Sequence, residues 1–391
     1  MVRRARMFKS FLLLLGAALC GGGLELAAAA KAARSVPVIY CTDLFHPHDD
    51  PDDHFDLAAL YAMPELDLKG IVLDQGRKQL ERPGRIPVSQ MNEITGRSVP
   101  AVIGLADPLK TPDDKALDQP PQFQAGVEFI LQTLRASARP VCIATLGSVR
   151  DVVGAFNRQP ALFRTNVAMI LAFIGEASDP KFQEYNVGLD PQAFVGLMRS
   201  GLPVYWVPCF DGGLWQNRGQ ASFWRARHQA LLAGAAPEVI RFFIYALEKE
   251  TAEPLAFLSR PTAPERQARL FAGTRNLWCT AVLGVMSGRE GIFGGRTWAA
   301  ALPSNSQSAP AAGRTPLFGF AEAKISVSDV GLVSSGKGPG LHKVKRFEVR
   351  DRAQYEPGMT QATAALLSTL GRHPAREGDP ASPDLRKTQR N

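Results

Sequence analysis

Cysteine is scarce in this sequence and is never spaced as a structural zinc site requires. Five cysteines occur among 391 residues, and no two of them form a C-x-x-C pair. Four follow the first thirty residues, each in or beside an apolar run: Cys41, Cys142, Cys209 and Cys279. Two interpretations stay open for these four, one disulfide in an oxidising compartment or buried thiols that behave as small hydrophobic side chains.

Long apolar runs are also missing after residue 30, so no segment there is predicted to cross a membrane. Before it, four basic residues precede an apolar run from Phe11 to Leu19 and the small residues Ala27 to Ala30. This order is typical of an export signal, and an apolar core of about ten residues is too short for a permanent anchor. Segment 1–30 is therefore predicted to be a signal peptide, and the mature protein to be secreted or periplasmic.

The positive charge is not gathered on a recognisable nucleic-acid reading element. The formal net charge is +8, and part of the excess belongs to the signal and to a basic tail at 371–391, which we expect to be disordered. The composition otherwise fits a soluble globular protein, with 45% hydrophobic and 21% charged residues. We therefore expect a small-molecule ligand, no nucleic-acid partner and no membrane anchor, whereas a homo-oligomer stays open.

Apolar runs alternate with helical segments after the signal. Strands are predicted at 36–41, 66–73, 140–145, 167–174, 203–207 and 343–349. Helices are predicted at 56–62, 149–156, 191–198, 237–248, 277–286 and 360–370, with a flexible loop at 299–316. The alternation predicts one α/β domain at 31–370 with an open, mostly parallel, doubly wound sheet, and a site at the carboxyl ends of its strands.

Six carboxylates follow the first predicted strand within fourteen residues: Asp43, Asp49, Asp50, Asp52, Asp53 and Asp56. A helix N-terminus accounts for two or three of them, with Pro51 at the first helical position and Asp49 or Asp50 at the N-cap, but not for six. Their oxygen ligands favour calcium, or magnesium, over softer metals. Neighbouring imidazoles leave zinc or iron open, at His46, His48 and His54. A loop without metal is the other alternative.

These residues and three later blocks resemble the inosine-uridine-preferring nucleoside hydrolases. Val38 to Asp43, then Asp52-Asp53, then Ala58 to Ile71 resemble the family's opening, where a D-x-D-P-G-x-D-D motif ends strand one and starts helix one. The later blocks are similar to family segments in the same order: Val99 to Gly104, Leu146 to Asp151 and Glu184 to Pro191.

The resemblance implies a role for each matching residue. Asp43 and Asp53 would hold a calcium ion together with the backbone carbonyl of Arg150, and Asp43 would also be the catalytic base. The sugar would be bound by Asp52, Glu184 and Asn186. The implied reaction cleaves an N-glycosidic bond through an oxocarbenium-like state, which anionic oxygens stabilise while Asp43 takes a proton from the attacking water.

The chain departs from the family pattern at three places. The insertion 44–51 separates Asp43 from Asp52 by eight residues, more than in the family. Arg77 stands where the family has an asparagine, which predicts a changed contact to the substrate. The family's downstream His-Asp pair falls on Trp278-Cys279, and Trp278 can stack a base but cannot protonate one.

The leading hypothesis is an exported hydrolase that cleaves a ribosyl N-glycosidic bond with a calcium-bound water. The alternative is a nonenzymatic sugar- or nucleoside-binding protein that has lost catalysis on the same fold. Asp43, Asp52 and Asp53 favour the hydrolase, whereas Trp278 and Cys279 favour the binding protein.

Overall fold

A computed structural model of the chain describes residues 35–289, 292–293, 315–335 and 340–371. The predicted signal peptide, most of the predicted loop 299–316 and the tail after Gly371 lie outside these residues. In the part that is described, no helix is both long and apolar enough to cross a membrane.

The strands of the described residues fall into one large sheet and two small ones. Their bounds are β1 Val36–Thr42, β2 Leu66–Leu73, β3 Ala101–Ile103, β4 Val141–Leu146, β5 Val167–Phe173, β6 Val204–Val207, β7 Trp224–Arg227, β8 Thr274–Leu277, β9 Ile292–Phe293, β10 Thr315–Pro316, β11 Phe318–Val327, β12 Val333–Ser335 and β13 His342–Val349. The large sheet has the order β12-β11-β13-β6-β5-β4-β1-β2-β3, and β7-β8 and β9-β10 are separate antiparallel pairs.

Parallel pairing dominates the large sheet. Neighbours from β13 through β6, β5, β4, β1 and β2 to β3 are parallel, and only β11 and β12 add antiparallel edges. The predicted open, mostly parallel, doubly wound sheet is therefore confirmed. The two-residue strand β10 ends the segment that was expected to be a flexible loop.

Helices cover both faces of this sheet. Their bounds are α1 Asp52–Tyr61, α2 Gly76–Glu81, α3 Arg85–Thr95, α4 Ala125–Ala136, α5 Arg150–Arg158, α6 Pro160–Asn166, α7 Tyr185–Leu189, α8 Pro191–Arg199, α9 His228–Leu232, α10 Pro237–Leu247, α11 Pro254–Leu258, α12 Pro264–Ala272 and α13 Tyr355–Leu367, with 3-10 turns at Pro121–Phe123 and Thr280–Ser287. Strand β1 shows the two-sided burial: Val38 and Tyr40 belong to one core cluster, and Ile39 and Cys41 to the other.

The segment at 277–286 does not form the α-helix that its apolar character predicts. Leu277 ends β8, where it pairs with Trp224, and the residues from Thr280 to Ser287 form a 3-10 helix. The carboxylate of Asp56 accepts the backbone N–H of Thr280 at 2.6 Å, which starts this helix against α1. A long-range contact that local sequence does not encode therefore decides the conformation here.

The strand order changes direction between β1 and β4. The chain runs outward through β2 and β3 on one side, and through β4, β5 and β6 on the other. In a doubly wound sheet this switch point opens a crevice beyond the carboxyl ends of the strands. Asp43 follows β1, and Gly147 follows β4 so closely that a Cβ on it would lie 3.0 Å from the Asp43 Cγ.

Candidate functional site

A cavity of about 410 Å³ opens at the carboxyl ends of the central strands, a volume suited to a small ligand. Its acidic lining residues are Asp43, Asp49, Asp50, Asp52, Asp53 and Glu184. The remaining lining residues are Phe45, Leu146, Phe173, Tyr185, Asn186, Cys209, Phe210, Leu214, Trp215, Trp278 and Cys279. Six of the eight residues predicted to form the site therefore lie together here.

Three carboxylates meet at the end of β1. Asp43 follows the strand, and the Nε2 of Gln75 donates to its Oδ2 at 3.4 Å. Asp52 and Asp53 lie in the first turn of α1, where the helix dipole favours negative charge. The hydroxyl of Thr42, the last residue of β1, donates to Asp53 Oδ1 at 3.0 Å. Strand end and helix start are thus held together through this acidic corner.

Burial and mutual repulsion make this corner electrostatically unfavourable as long as nothing positive is bound. Burial first, and then the charge of Asp74, raise the pKa of Asp43 to about 7. Burial, together with repulsion from neighbouring aspartates, raises the pKa of Asp52 and of Asp53 well above the usual range. No Lys, Arg or His side chain is among the residues that line the cavity.

The other three aspartates of the acidic run are engaged elsewhere. Asp49 pairs with Lys78 and Arg82, and Asp50 pairs with Arg275 at 2.9 Å. Asp56 is buried against the N–H of Thr280.

The predicted helix cap is wrong. The helix begins at Asp52 rather than Pro51, and Pro51 occupies the N-cap position without any side-chain cap bond. Asp49 and Asp50 do not cap it because both carboxylates are drawn to basic side chains of other segments.

The three histidines of this region do not line the cavity. His46 is buried, stacks on Tyr245 with ring centroids 4.6 Å apart, and bonds through Nε2 to the carbonyl of Glu250 at 2.7 Å. His48 and His54 are also buried, with ring centroids 6.0 Å apart. The imidazoles therefore help to pack the insertion 44–51 onto α10, and the alternative of zinc or iron ligands in the cavity gains no support.

Glu184 and Asn186 lie side by side at the start of α7. The Glu184 carboxylate accepts the backbone N–H groups of Gly175 at 2.9 Å, Asn186 at 3.0 Å and Val187 at 3.3 Å. Glu184 thus caps its own helix as well as facing the cavity. The roles predicted for both residues in binding the sugar stay predictions, and their position beside Asp43 agrees with them.

The Arg150 side chain is buried away from the cavity. Its guanidinium lies 3.6 Å from carboxylate oxygens of both Asp74 and Asp190, and it donates to the Ser148 hydroxyl at 2.7 Å and the Leu189 carbonyl at 3.0 Å. These contacts connect the turns that follow β2 and β4 to the end of α7. The predicted ligand role of its backbone carbonyl stays a prediction.

Arg77, which was expected to contact the substrate, is not among the lining residues. Its guanidinium forms a two-pronged ion pair with Asp107 at 2.8 and 2.7 Å, and 60% of its side chain is exposed. The acidic partner on the loop after β3 holds the arginine at the surface, which sequence spacing alone did not reveal.

One wall of the cavity is aromatic. Phe210, Trp215, Phe223 and Trp278, the aromatic quartet, contact one another with ring centroids 5.4 to 6.1 Å apart. All but Phe223 line the cavity. The indole N–H of Trp278 donates to the Cys209 carbonyl at 3.0 Å. Trp278 is thus placed at the cavity as predicted, with its only polar hydrogen already used.

Several lining residues were missed by sequence reasoning, above all Tyr185, Leu214 and Trp215. The large side chains of all three are exposed at the cavity mouth. Leu214 and Trp215 lie on the glycine-containing loop after β6, so aromatic residues just beyond a predicted strand were the available signal. The four cysteines of the described residues are buried and free, which confirms the interpretation as small hydrophobic side chains.

The cavity has the ligand chemistry of a hard cation but few ligands. Asp43 and Asp53 present carboxylate oxygens to the same space. Within the described ranges, no three His, Cys, Asp or Glu side chains are arranged as a metal-binding group. Cys279 occupies the place where the resemblance implies another carboxylate. The protein therefore offers two carboxylates, and water or backbone oxygens would complete the coordination.

Comparison with known proteins identifies the family. The family model described as inosine-uridine preferring nucleoside hydrolase matches residues 42–258, more than half of the chain. The chain belongs to this family. The match includes Asp43, Asp52, Asp53, Glu184 and Asn186 and ends before Trp278.

The nucleoside hydrolase relatives are distant. The pyrimidine-specific ribonucleoside hydrolase RihA of Salmonella paratyphi C is 29% identical over 189 residues, which cover 44% of this chain and 59% of the relative. RihA of Escherichia coli O7:K1 is 28% identical over the same coverage. The chain thus spans about three fifths of the length of these curated relatives. A solved plant nucleoside hydrolase, the PpNRh1 enzyme, shares the fold with a TM-score of 0.50 at 15% identity, covering 84% of this chain and 99% of that chain.

Replacing Arg150 with methionine is expected to lower the free energy of unfolding by about 3–5 kcal/mol. The change removes one partner of a buried ion cluster and leaves Asp74 and Asp190 without their positive charge. Chemical denaturation measures the effect. The control Arg199→Met, whose partner Asp329 is largely exposed, should change stability by less than about 1 kcal/mol. Equal losses in the two variants would contradict a special role of Arg150.

Proposed function

We propose that this protein hydrolyses the N-glycosidic bond of a ribonucleoside or a related glycoside. The observation that carries the proposal is the convergence of Asp43, Asp52, Asp53, Glu184 and Asn186 in one cavity at the switch point of a nucleoside hydrolase sheet. Membership of the family supports the same reaction. The matched residues account for the acidic half of the cavity, and the aromatic quartet accounts for the other half.

The residue types suit the reaction. Breaking the bond from the anomeric carbon to nitrogen builds positive charge on the ribose ring, and nearby carboxylates stabilise that charge. Asp43 is the proposed base because its carboxylate keeps free acceptor capacity beyond the 3.4 Å contact with Gln75. Asp52, Glu184 and Asn186 are proposed to orient the sugar hydroxyls, which carboxylates and amides bind well.

A divalent cation, with calcium as the proposed ion, is expected beside Asp43 and Asp53. Such an ion makes a nearby water molecule more acidic, which helps Asp43 to remove its proton. The repulsion that raises the pKa of both carboxylates supports a bound cation, because positive charge between them relieves it. The backbone carbonyl of Arg150 is the proposed third protein ligand.

The alternative of a binding protein without turnover gains less support. It rests on the replacement of the family's downstream pair by Trp278-Cys279. The proposed base Asp43 and the sugar-facing residues are nevertheless all present in the cavity. A protein that only binds sugar has no need of a carboxylate positioned to deprotonate water.

Asp43→Asn is expected to reduce the turnover of 4-nitrophenyl riboside at least about 100-fold, because the amide cannot accept the proton of water. Release of nitrophenolate measures the rate. Asp118→Asn, a change in an exposed ion pair with Lys110, is the control that should keep the rate of the unchanged protein. Equal rates in Asp43→Asn and the unchanged protein would remove Asp43 as the base.

Calcium is expected to raise the melting temperature of the unchanged protein but not that of Asp53→Asn. A ligand selective for the folded state stabilises it, by about 2.7 kcal/mol at 100 times its dissociation constant. Asp49→Asn and Asp50→Asn should keep the shift, since these carboxylates pair with basic side chains. Absence of a shift with calcium, magnesium and zinc would refute the metal site.

We also propose that residues 1–30 direct export, on the basis of their basic start, apolar core and small-residue end. A fusion of this segment to alkaline phosphatase, which is active only outside the cytoplasm, should show activity in a bacterial host. Removal of the segment should abolish that activity. An active fusion without residues 1–30 would contradict the proposal.

A further inference from the structure

The cavity offers no effective proton donor to a departing base. Its lining contains no Lys, Arg or His side chain, and the indole N–H of Trp278 is already donated to the Cys209 carbonyl at 3.0 Å. The lining groups that still carry a proton are the Tyr185 phenol and the thiols of Cys209 and Cys279, with ordinary pKa values near about 10 and 8.5. Groups this weakly acidic do not readily protonate a purine or pyrimidine leaving group.

The cavity is also negative beyond what one metal ion neutralises. Asp49 and Asp50 are paired with Lys78, Arg82 and Arg275. Asp43, Asp52, Asp53 and Glu184 remain without a basic partner in the lining. A single divalent cation offsets two of these four charges, so the occupied cavity still attracts positive charge.

The aromatic quartet supplies the surfaces that cations bind. Phe210, Trp215 and Trp278 line the cavity beside the carboxylates, and Trp215 is 44% exposed at its mouth. A cation near the face of an aromatic ring is attracted by the ring quadrupole, most strongly by tryptophan. The same wall offers flat contact area to an aromatic ligand.

We propose that the preferred substrates are N-ribosides of a quaternary aromatic nitrogen, the pyridinium class. The inference rests on the proposed hydrolysis and specifies its substrate. When the bond between the anomeric carbon and nitrogen breaks, both electrons pass to the ring nitrogen, and the pyridine leaves neutral without a proton. Water forms the new carbon–oxygen bond, and its proton passes to Asp43 and then to solvent. The products are ribose, a neutral pyridine and one proton.

The test compares leaving groups on the full-length protein with calcium present. The probes are nicotinamide riboside as the pyridinium riboside, inosine and uridine as neutral nucleosides, and 4-nitrophenyl riboside, whose phenolate also leaves without a proton. The kcat/KM of nicotinamide riboside is expected to exceed that of inosine and uridine at least about 100-fold, the usual contribution of a general acid.

Trp215 tests the aromatic contribution. Trp215→Leu should weaken binding of nicotinamide riboside about 3- to 30-fold more than binding of benzamide riboside, a neutral carbon-linked analogue of the same shape. Trp215→Phe, which keeps an aromatic face, should restore most of the difference. Equal weakening of the cation and the neutral analogue would overturn the cationic selectivity, even where both variants fold.

The outcomes separate this inference from the proposed function. Turnover of 4-nitrophenyl riboside without turnover of nicotinamide riboside would overturn the inference and leave the hydrolase intact. Comparable kcat/KM for inosine, uridine and nicotinamide riboside would show that the cavity does protonate leaving bases, which also overturns it. Turnover of none of these ribosides would refute the proposed function itself.

Discussion

Repulsion among the carboxylates at the end of β1 is the constraint on which the rest of the site depends. Asp43, Asp52 and Asp53 share one cavity, and burial with mutual repulsion raises the pKa of each. The fold holds them there through the Thr42 hydroxyl, the amide of Gln75 and the N-terminal dipole of α1. A fold that bears such a cost places negative charge where a cation or a positively charged transition state will bind.

The insertion 44–51 changes the edge of this site rather than its centre. Its two added carboxylates are bound to basic side chains from α2 and from β8, so they hold the loop across the cavity edge. Behind it, buried histidines pack the same loop against α10. The loop therefore adds a wall to the cavity while the inherited acids keep their place at the switch point.

The Arg150 cluster fixes the sugar-facing segment relative to the acidic corner. Its guanidinium contacts Asp74, which follows β2, and Asp190, which caps α8. Because Glu184 and Asn186 lie only a few residues before Asp190, this one buried cation positions them against the sheet. Replacement of the family's threonine by arginine thus exchanged a short side chain for a long-range connection, while any backbone contact at this position remained available.

The sequence by itself determined the sheet and half of the site. Apolar runs and turn residues encode β1, β2, β4, β5 and β6 locally, and motif spacing placed Asp43 with Asp52 and Asp53. Local patterns could not reveal which acids are paired, because Lys78, Arg82 and Arg275 are distant in sequence from Asp49 and Asp50. The 3-10 turn at 280–287, the aromatic quartet and the surface pairing of Arg77 likewise depend on contacts between remote segments. Only the tertiary structure decided those, since charge pairing and ring packing follow from distances that the fold sets.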